Sequence, residues 1–308
     1  MQKFLMLMGI SGSGKSSYAG VLEKLYGYKV FSSDGLREEL FGNENDQTHN
    51  SEVFEELHRR ILKALNAGEN CVYDATNLNR KRRIQFLERL KKYKGLRKEI
   101  FVIASPVDLC VARDAGRART VGRSVIERQI SQFQIPLFEE GWDYITVCPL
   151  EDTDTDDETS PYQLDELLLG HTPHNCAPYH LETIETHMKL AYLLAQANDE
   201  PDCIQIALKY HDIGKFFTRK WNEEKGRNTF YSHQNWGAYF YLCSSTYLDL
   251  RAKNGAKAIA VASLISEHME PHFSSWGKKK TFYEENFRES LELMANYDDW
   301  ASIKDERE

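Results

Sequence analysis

Apolar residues in residues 1–150 follow two patterns that alternate along the chain. Short, nearly continuous apolar runs are typical of strands that are buried on both faces. Stretches with apolar residues at every third or fourth position separate these runs and predict helices. The runs are KFLMLMGI, YKVFSS, NCVYDAT, KEIFVIAS and WDYITVCP. Their alternation with helices predicts an α/β domain with a parallel sheet that is covered by helices on both faces.

The pattern changes in residues 176–300, where no convincing series of strands is visible and helical spacing dominates. Five stretches fit helices: LETIETHMKLAYLLAQAN, PDCIQIALKYHDIGKFF, HQNWGAYFYLCSSTYL, AKAIAVASLISEHM and NFRESLELMANYDDWA. We therefore expect an all-α second domain, and a chain of 308 residues is long enough to bury two cores.

An acidic run separates the two patterns. Residues 151–158 read EDTDTDDE, with six acids in eight positions, a composition typical of a solvated linker. Eight of the ten histidines follow residue 150, so the chemistry of the chain also changes here. We expect a first domain at residues 1–152, an acidic linker at 153–173 and a second domain at 174–308.

Composition indicates where the protein works. No apolar run reaches the roughly 18 residues that a membrane span needs. The N-terminal apolar run lacks a small-residue cleavage site and leads directly into a glycine-rich loop, as a buried strand would. The six cysteines are scattered without a close pair, which argues against a disulfide framework and for a reducing compartment. We expect a cytoplasmic protein with no membrane partner.

Charge is unevenly distributed along the chain. The net charge of −8 argues against nucleic-acid binding over the whole surface. Residues 80–98, however, contain ten basic residues and a single acid, Glu88. This basic stretch fits contact with a polynucleotide backbone, and it fits a solvated helix equally well. The sequence leaves both interpretations open.

Residues 9–16, GISGSGKS, lie between a predicted strand and a predicted helix and have the spacing of a phosphate-binding loop. Glycines let the backbone wrap a phosphate, so that amide groups and the positive end of the next helix face it. Lys15 can then reach the outer phosphates, and Ser16 can hold Mg²⁺. The motif predicts a nucleoside triphosphate site formed by Gly9, Gly12, Ser13, Gly14, Lys15 and Ser16.

Charged residues farther along the first domain suit phosphoryl transfer. Asp34 follows the second predicted strand, where it can take a proton from an attacking hydroxyl or cap a helix. Arg37 can grip an anion on the acceptor, and Asp74 ends the third predicted strand, where an acid can orient Mg²⁺ through water. Arg113 and Arg117 are four residues apart, on one face of a predicted helix. They can close over the transferring phosphates or simply face solvent.

Four motifs contain these residues: GISGSGKS, SSDGLREELFG, YDATNLNRKRR and ARDAGRARTV. Together they resemble the 5′-hydroxyl polynucleotide kinases of nucleic-acid end repair, over about residues 1–150. The resemblance implies that Lys15 and Ser16 bind ATP and Mg²⁺ and that Asp34 is the general base.

The same resemblance implies roles for three arginines. Arg37 would grip the phosphate that lies 3′ of the attacking nucleotide, and Arg113 and Arg117 would clamp the phosphate donor. One position departs from the family pattern, because Gly122 stands where the family usually has proline.

The second half contains six candidate metal ligands on the predicted helices: His187, His211, Asp212, His233, His268 and Asp298. A helical bundle builds a site in its core from side chains on different helices. Neutral imidazoles and carboxylates suit first-row divalent ions, and one carboxylate can bridge two of them. Each histidine alone fits a structural role as well, but the adjacent pair His211 and Asp212, followed by Ile-Gly-Lys, favours a metal site.

The order H…HD…H…H…D resembles the HD phosphohydrolase superfamily over about residues 174–303. The resemblance implies two divalent ions such as Mn²⁺, Ni²⁺, Co²⁺ or Fe²⁺, with Asp212 between them and Lys215 in contact with the substrate phosphate. One ion would be bound by His187, His211, Asp212 and Asp298. His233 and His268 would help to bind the other.

Besides these ligands, the sequence offers Asp299 and three further histidines. Asp298 is preferred to the adjacent Asp299 because Ala301 then fits the family pattern. His174, His180 and His272 have no place in that pattern, and we expect them to face the substrate or to be structural.

A chain with both modules resembles bifunctional end-healing enzymes. Broken RNA often carries a 5′-hydroxyl and a 2′,3′-cyclic, 2′- or 3′-phosphate, whereas a ligase needs the reverse. We expect ATP-dependent phosphorylation of 5′-hydroxyl ends and metal-dependent removal of the phosphate ends, on RNA or DNA. No ligase motif with a nucleotidyl lysine is visible, so a separate RNA ligase is the expected partner. The alternatives are a small-molecule or nucleoside kinase fused to an HD nucleotidase, and a pair of sensor sites.

Overall fold

The computed structural model describes residues 1–44, 48–117, 120–149 and 161–304. The described chain forms two compact units. Unit 1 contains residues 1–129 and 136–149, and unit 2 contains residues 130–135 and 161–304. The acidic run at 151–158 and the expected boundary at residue 152 lie outside the described residues, so the exact domain limits stay predictions.

Unit 1 is built on a five-stranded sheet in which every neighbouring pair of strands is parallel. The strands are β1 Lys3–Met8, β2 Lys29–Ser32, β3 Cys71–Asp74, β4 Arg97–Ala104 and β5 Tyr144–Pro149. Their order in the sheet is β2-β3-β1-β4-β5. All five apolar runs of the sequence therefore form strands, and the predicted parallel sheet is confirmed.

Helices connect the strands of unit 1: α1 Lys15–Tyr26, α2 Ser33–Phe41, α3 Asn50–Asn66, α4 Arg80–Leu90, α5 Val107–Ala115 and α6 Arg123–Ser131. The register pairs Leu7 of β1 with Asp74 of β3, and Asp74 with Ser32 of β2. The carboxyl ends of these three strands therefore meet at one edge of the sheet. Open parallel sheets bind their ligands at this edge.

A buried ion pair joins α4 to the residues just before β5 in unit 1. Arg83 Nη2 donates to Glu140 Oε1 at 2.6 Å, and Arg83 Nε donates to Oε2 at 2.8 Å. The indole of Trp142 also donates to this carboxylate, at 3.0 Å. Arg83 is buried, so at least this residue of the basic stretch at 80–98 belongs to the core and not to a polynucleotide surface.

Unit 2 is helical, as predicted. Its helices are α7 Leu164–Leu167, α8 Ile184–Ala197, α9 Asp202–Tyr210, α10 Lys215–Thr218, α11 His233–Leu242, α12 Ser245–Lys253, α13 Gly255–Glu267, α14 Trp276–Lys279 and α15 Glu285–Ala301. Two stretches that the pattern predicted as single helices are each divided, into α9 and α10 and into α11 and α12. Among the described residues, no helix combines the length and the apolarity that crossing a bilayer requires.

One element of unit 2, a short antiparallel hairpin, was not predicted from the sequence. Strands β6 Lys220–Asn222 and β7 Arg227–Thr229 pair between α10 and α11. Each strand has three residues, which is too short for an alternating pattern to stand out.

Residues before the predicted second domain also pack within unit 2. The ring of Tyr162 stacks on Phe240 of α11, with centroids 4.4 Å apart. Tyr210 at the end of α9 donates to Asp165 of α7 at 2.6 Å. At least residues 162–165 of the segment expected as linker therefore contribute to this unit.

We predict that Arg83→Met lowers the free energy of unfolding of unit 1 by about 3–5 kcal/mol, because the Glu140 carboxylate is then buried without its partner. The exposed neighbour Arg82 supplies a control. Arg82→Met should change the free energy of unfolding of unit 1 by no more than about 0.5 kcal/mol. Calorimetry of the full chain measures the stability of both variants. ATP with Mg²⁺ identifies the unfolding transition of unit 1, because binding raises the temperature of that transition. Equal effects of the two variants would contradict the prediction.

Candidate functional site

The glycine-rich loop of unit 1 connects β1 to α1 in a conformation that requires glycine. Gly12 has a φ of 81°, and a Cβ there would lie 2.2 Å from the carbonyl oxygen of Cys110. Lys15, the first residue of α1, is buried and donates from Nζ to the Ile10 carbonyl at 2.8 Å. The ammonium group thus lies across the loop, where it can transfer its hydrogen bonds to phosphate oxygens.

A hydroxyl and a carboxylate meet beside this loop. Ser16 Oγ donates to Asp74 Oδ2 at 2.9 Å. Burial lowers the pKa of Lys15, and the Asp74 carboxylate opposes that shift. Burial in turn raises the pKa of Asp74, against the effect of Lys15. Oxygen ligands of this kind are those that Mg²⁺ prefers, so these residues fit the ion that the motif implies.

Asp34 lies near the same loop but remains open to solvent. It is the second residue of α2, and Ser32 is the N-cap, with its side chain accepting from Gly35 N at 3.4 Å. The alternative role of Asp34 as a helix cap is therefore excluded. Its side chain is 57% exposed, and its charge raises the pKa of both Lys15 and Asp74. This carboxylate can be reached by an acceptor while it lies close to the phosphate loop.

Arg37 is buried, and its neighbours fix its orientation. Nη1 donates to Asp34 Oδ1 at 2.5 Å, and Nη2 donates to Asn50 Oδ1 at 2.8 Å. Within the described residues, Nε has no hydrogen-bond partner. The guanidinium group is thus held in place, and its remaining N–H groups can donate to an anion. Asn50 was not identified from the sequence, because only the fold brings it next to α2.

The structure corrects the expected arrangement of Arg113 and Arg117. Helix α5 ends at Ala115, so the two arginines do not share one helical face. Arg113 is half-buried within the helix, and Arg117 is exposed beyond its end. The charge of Arg117 nevertheless lowers the pKa of Lys15, so it acts on the phosphate loop.

The departure at Gly122 has a structural reason. Gly122 has a φ of 82°, which the proline ring does not allow. Its N–H and that of Val121 donate to the buried carboxylate of Asp114, each at 2.9 Å from Oδ2. A proline would lose one of these two hydrogen bonds. In this chain, hydrogen bonds to Asp114 hold residues 121 and 122, where the family usually has a proline ring.

Gln129, which was not identified from the sequence, supports the phosphate loop. Gln129 of α6 accepts from Ser11 N at 2.7 Å and donates to Ser11 Oγ at 3.0 Å. The two residues are 118 positions apart, so only the fold reveals the pair. Gln129 fixes the loop residue that precedes Gly12.

The structure brings the six candidate ligands of unit 2 together in the bundle. His187 and Asp298 lie within α8 and α15, whereas His211, Asp212 and His268 follow helix ends and His233 begins α11. The Nδ1–H groups of His211, His233 and His268 each donate to the carbonyl three residues earlier, at 2.8 Å. In the neutral imidazole, this hydrogen bond leaves Nε2 as the nitrogen that can bind a metal.

The first group of ligand atoms surrounds one point. His187 Nε2 lies 2.8 Å from Asp298 Oδ1 and 3.2 Å from His211 Nε2. Asp212 Oδ2 is 3.6 Å from each of the two Nε2 atoms. Ligand atoms that surround an ion tetrahedrally at about 2.1 Å are about 3.4 Å apart, so this group has suitable dimensions for one ion.

The second group uses the other oxygen of the same carboxylate. Asp212 Oδ1 lies 3.2 Å from His233 Nε2 and 3.7 Å from His268 Nε2. The two Nε2 atoms face each other at 3.2 Å. Because both carry lone pairs, a cation between them removes their repulsion. The residues thus fit two divalent ions bridged by Asp212.

Lys215 points into this cluster from the start of α10. Its Nζ lies 2.5 Å from Asp212 Oδ2 and 3.1 Å from His174 Nε2. Burial raises the pKa of Asp212, but Lys215 and His211 outweigh this effect and hold the pKa well below its usual range. A phosphate oxygen can replace His174 as an acceptor of the ammonium group.

Three histidines without an assigned place also lie beside the cluster, together with a carboxylate that we did not identify from the sequence. Glu182 Oε1 lies 2.8 Å from His180 Nδ1, 3.3 Å from His187 Nδ1 and 3.8 Å from His174 Nδ1. Glu182 thus faces Nδ1 of His187, on the side opposite Nε2, although within the described residues this Nδ1 has no hydrogen-bond partner. His272 Nε2 lies 3.1 Å from Asp298 Oδ2.

Two family models match the chain. Residues 4–136 match the model described as an AAA domain, and residues 181–298 match the HD domain. The chain joins an AAA-type P-loop domain to an HD domain. The AAA match agrees with the ATP and Mg²⁺ expected at the glycine-rich loop, and the HD match agrees with a divalent-metal site at the histidine–aspartate cluster.

One curated relative is similar in sequence to part of this chain. A protein of Autographa californica nuclear polyhedrosis virus is 35% identical over 92 residues, which are 25% of this chain and 13% of that protein. Its name gives it two activities, polynucleotide kinase and RNA ligase. The chain thus spans a small part of the relative's length.

Solved structures share similarity with about half of the chain. The Pnkp1/Rnl/Hen1 RNA repair complex is 22% identical over 52% of this chain and 54% of its own, with a TM-score of 0.38. A gluconokinase from Sinorhizobium meliloti 1021 is 19% identical over 49% and 83%, with a TM-score of 0.35. Both TM-scores are below 0.5, so neither likeness carries an argument about function.

We predict that Asp34→Asn lowers the turnover of phosphoryl transfer by on the order of 10²-fold or more, because the amide cannot take the acceptor's proton. The amide oxygen can still accept from Arg37, so ATP affinity should change little. Steady-state kinetics with ATP and each acceptor measure both quantities. Asp108→Asn, an exposed change on α5, is the control. Near-normal rates of Asp34→Asn on every acceptor would show that the base is a different residue.

We predict that Asp298→Ala removes bound metal from the HD domain and abolishes phosphate release. Asp299→Ala should do neither, since Asp299 is 60% exposed and lies 3.5 Å from Lys304 Nζ. Elemental analysis of the two purified proteins, with a phosphatase assay on each, tests the pair. If Asp299→Ala is the variant that loses metal, the ligand is the next residue along the chain.

Proposed function

We propose that the chain heals broken RNA ends with two activities. The AAA domain transfers a phosphate from ATP to 5′-hydroxyl ends, and the HD domain removes 2′,3′-cyclic, 2′- or 3′-phosphates. The observation that carries this proposal is that one chain contains two sets of groups for opposite phosphate chemistry. One set is a phosphate loop with an accessible carboxylate, and the other is a cluster of four histidines and two aspartates.

In the kinase step, each charged group has one task. Asp34 takes the proton of the attacking hydroxyl, and Lys15 neutralises charge on the transferring phosphate. Arg37 holds the phosphate that lies 3′ of the attacking nucleotide, in the orientation that Asp34 and Asn50 give its guanidinium group. Arg113 and Arg117 close over the donor phosphates. Ser16 and Asp74 hold Mg²⁺.

In the phosphatase step, the cluster binds the terminal phosphate. Two divalent ions, when bound, activate water and polarise the phosphate oxygens. Asp212 holds the two groups of ligands in register, one with each of its oxygens. Lys215 donates to a phosphate oxygen and stabilises the charge that develops on it.

Three observations support RNA as the substrate over a small alcohol. The motifs around Lys15, Asp34 and Arg113 resemble those of polynucleotide kinases, and Arg37 supplies a buried anion contact that a sugar or nucleoside acceptor does not need. The viral relative is named for polynucleotide kinase and RNA ligase activities. The healed ends are the ends that a ligase needs, so we infer that an RNA ligase is the partner of this chain.

We predict that the two activities are lost separately. Lys15→Ala should lower kinase turnover by on the order of 10²-fold or more and leave phosphate release unchanged. His211→Ala should abolish phosphate release and leave the kinase intact. Labelled ATP with 5′-hydroxyl RNA, DNA, nucleosides and small alcohols measures the first activity, and phosphate-ended oligonucleotides measure the second.

The acceptor panel also decides the substrate class. A kinase that ignores oligonucleotides and phosphorylates nucleosides or sugars would refute the RNA proposal. Loss of both activities in each variant would show that the two sites depend on each other.

A further inference from the structure

The β6–β7 hairpin lies directly beside the HD cluster. It connects α10, which begins with Lys215, to α11, which begins with His233. Asn228 of β7 is buried, and its side chain donates to the His174 carbonyl at 2.8 Å. The ring of Phe230, which follows β7, lies 5.4 Å from Lys215 Nζ. The hairpin is therefore attached to residues that touch or orient the phosphate site.

Exposed and half-buried basic and aromatic side chains lie on this hairpin and on the residues that flank it. We call these residues the hairpin surface: Tyr179, Arg219, Lys220, Trp221, Lys225, Arg227 and Tyr231. Trp221 is 53% exposed and Tyr231 is 69% exposed. Residues 219–231 contain four basic residues and two acids, so this segment is positive in a chain with a net charge of −8.

Cations and rings of the hairpin surface are already paired. Arg227 lies 4.7 Å above the ring of Tyr179, which is 51% exposed. Lys225 lies 5.8 Å above the ring of Tyr231 and donates to its hydroxyl at 3.3 Å. These contacts hold two exposed rings beside two positive charges. Proteins that bind single-stranded nucleic acid combine positive charges for the backbone with rings on which bases stack.

We propose that the hairpin surface binds the single-stranded polynucleotide whose terminal phosphate enters the HD cluster. The inference rests on the proposed function for the identity of the end that is cleaved. Lys225 and Arg227 contact backbone phosphates, and Tyr231 and Trp221 stack on the bases nearest the end. A mononucleotide places its phosphate in the cluster but gains little from this surface, so the surface selects polymeric substrates.

The experiment measures binding of a fluorescent single-stranded oligonucleotide with a 3′-phosphate to the full chain at several salt concentrations. The double variant Lys225→Gln with Arg227→Gln should weaken binding by on the order of tenfold at 0.1 M salt. The slope of log affinity against log salt should fall by about 1.4, since each lost phosphate contact removes about 0.7 on single strands. Tyr231→Ala should weaken binding at least about fivefold, and Tyr231→Phe should restore it.

A matched control is available on α12. Arg251 and Lys253 are exposed and have the same spacing as the hairpin pair. Arg251→Gln with Lys253→Gln removes the same charge from unit 2 and should leave both affinity and salt slope unchanged. Hydrolysis of p-nitrophenyl phosphate by each variant should match the unaltered protein, which verifies that the HD cluster is intact. RNA and DNA oligonucleotides of one sequence show which sugar the surface prefers.

Two results would overturn the inference. One is an unchanged salt slope in the hairpin double variant, or an equal loss in the α12 control. The other is loss of p-nitrophenyl phosphate hydrolysis in the hairpin variants, which would make the hairpin a support of the cluster and nothing more. If the unaltered protein shows hairpin-dependent binding but releases no phosphate from any end, the binding surface stands and the proposed function fails.

Discussion

The HD site depends on the close approach of one glycine to a neighbouring helix. A Cβ on Gly214 would lie 1.9 Å from the His233 carbonyl oxygen and 2.7 Å from the Gly237 nitrogen. Only glycine permits this contact. Because of it, the turn that carries His211 and Asp212 lies directly against the helix that carries His233. Asp212 can then place one oxygen in each ligand group, and a longer separation would leave one ion without its bridge.

At three of the four candidate histidine ligands, one hydrogen bond serves both the backbone and the metal site. Nδ1 of His211, His233 and His268 binds a backbone carbonyl, and Nε2 then faces the metal site. His211 and His268 directly follow α9 and α13, where carbonyls of the last turn have no partner within the helix. Each imidazole satisfies one such carbonyl through Nδ1, and the same hydrogen bond leaves Nε2 free for a metal. His187 lies inside α8, where the carbonyls are already used. Its Nδ1 instead faces the carboxylate of Glu182, whose Oε1 lies 3.3 Å away.

Features that a short stretch of sequence encodes could be predicted. The five apolar runs became strands, because a strand buried on both faces must be apolar throughout. The loop at residues 9–16 and the pair at 211–212 were visible because their function requires fixed spacing along the chain. The ligand roles of the six residues remain predictions, but the fold does bring them together as their order suggested.

The remaining features depend on contacts between distant parts of the chain or on small backbone changes. Asn50 meets Arg37 and Gln129 meets Ser11 only after folding. The helix that was expected to carry both Arg113 and Arg117 ends between them, at the C-cap Gly116. A single glycine within a helical pattern is too weak a signal to predict this end. The hairpin was invisible because three-residue strands carry almost no periodicity.

Exposure separates the carboxylates according to their proposed tasks. Asp74 and Asp212 are buried, where Lys15 and Lys215 respectively compensate their charge. A buried carboxylate can hold a cation but cannot meet the end of a polymer. Asp34 is 57% exposed, as a base must be if it is to reach a hydroxyl on a large acceptor. Its buried neighbour Arg37 supplies the fixed geometry that an exposed side chain lacks. The kinase site thus combines the accessible carboxylate of Asp34 with the rigid guanidinium group of Arg37, which holds that carboxylate in place.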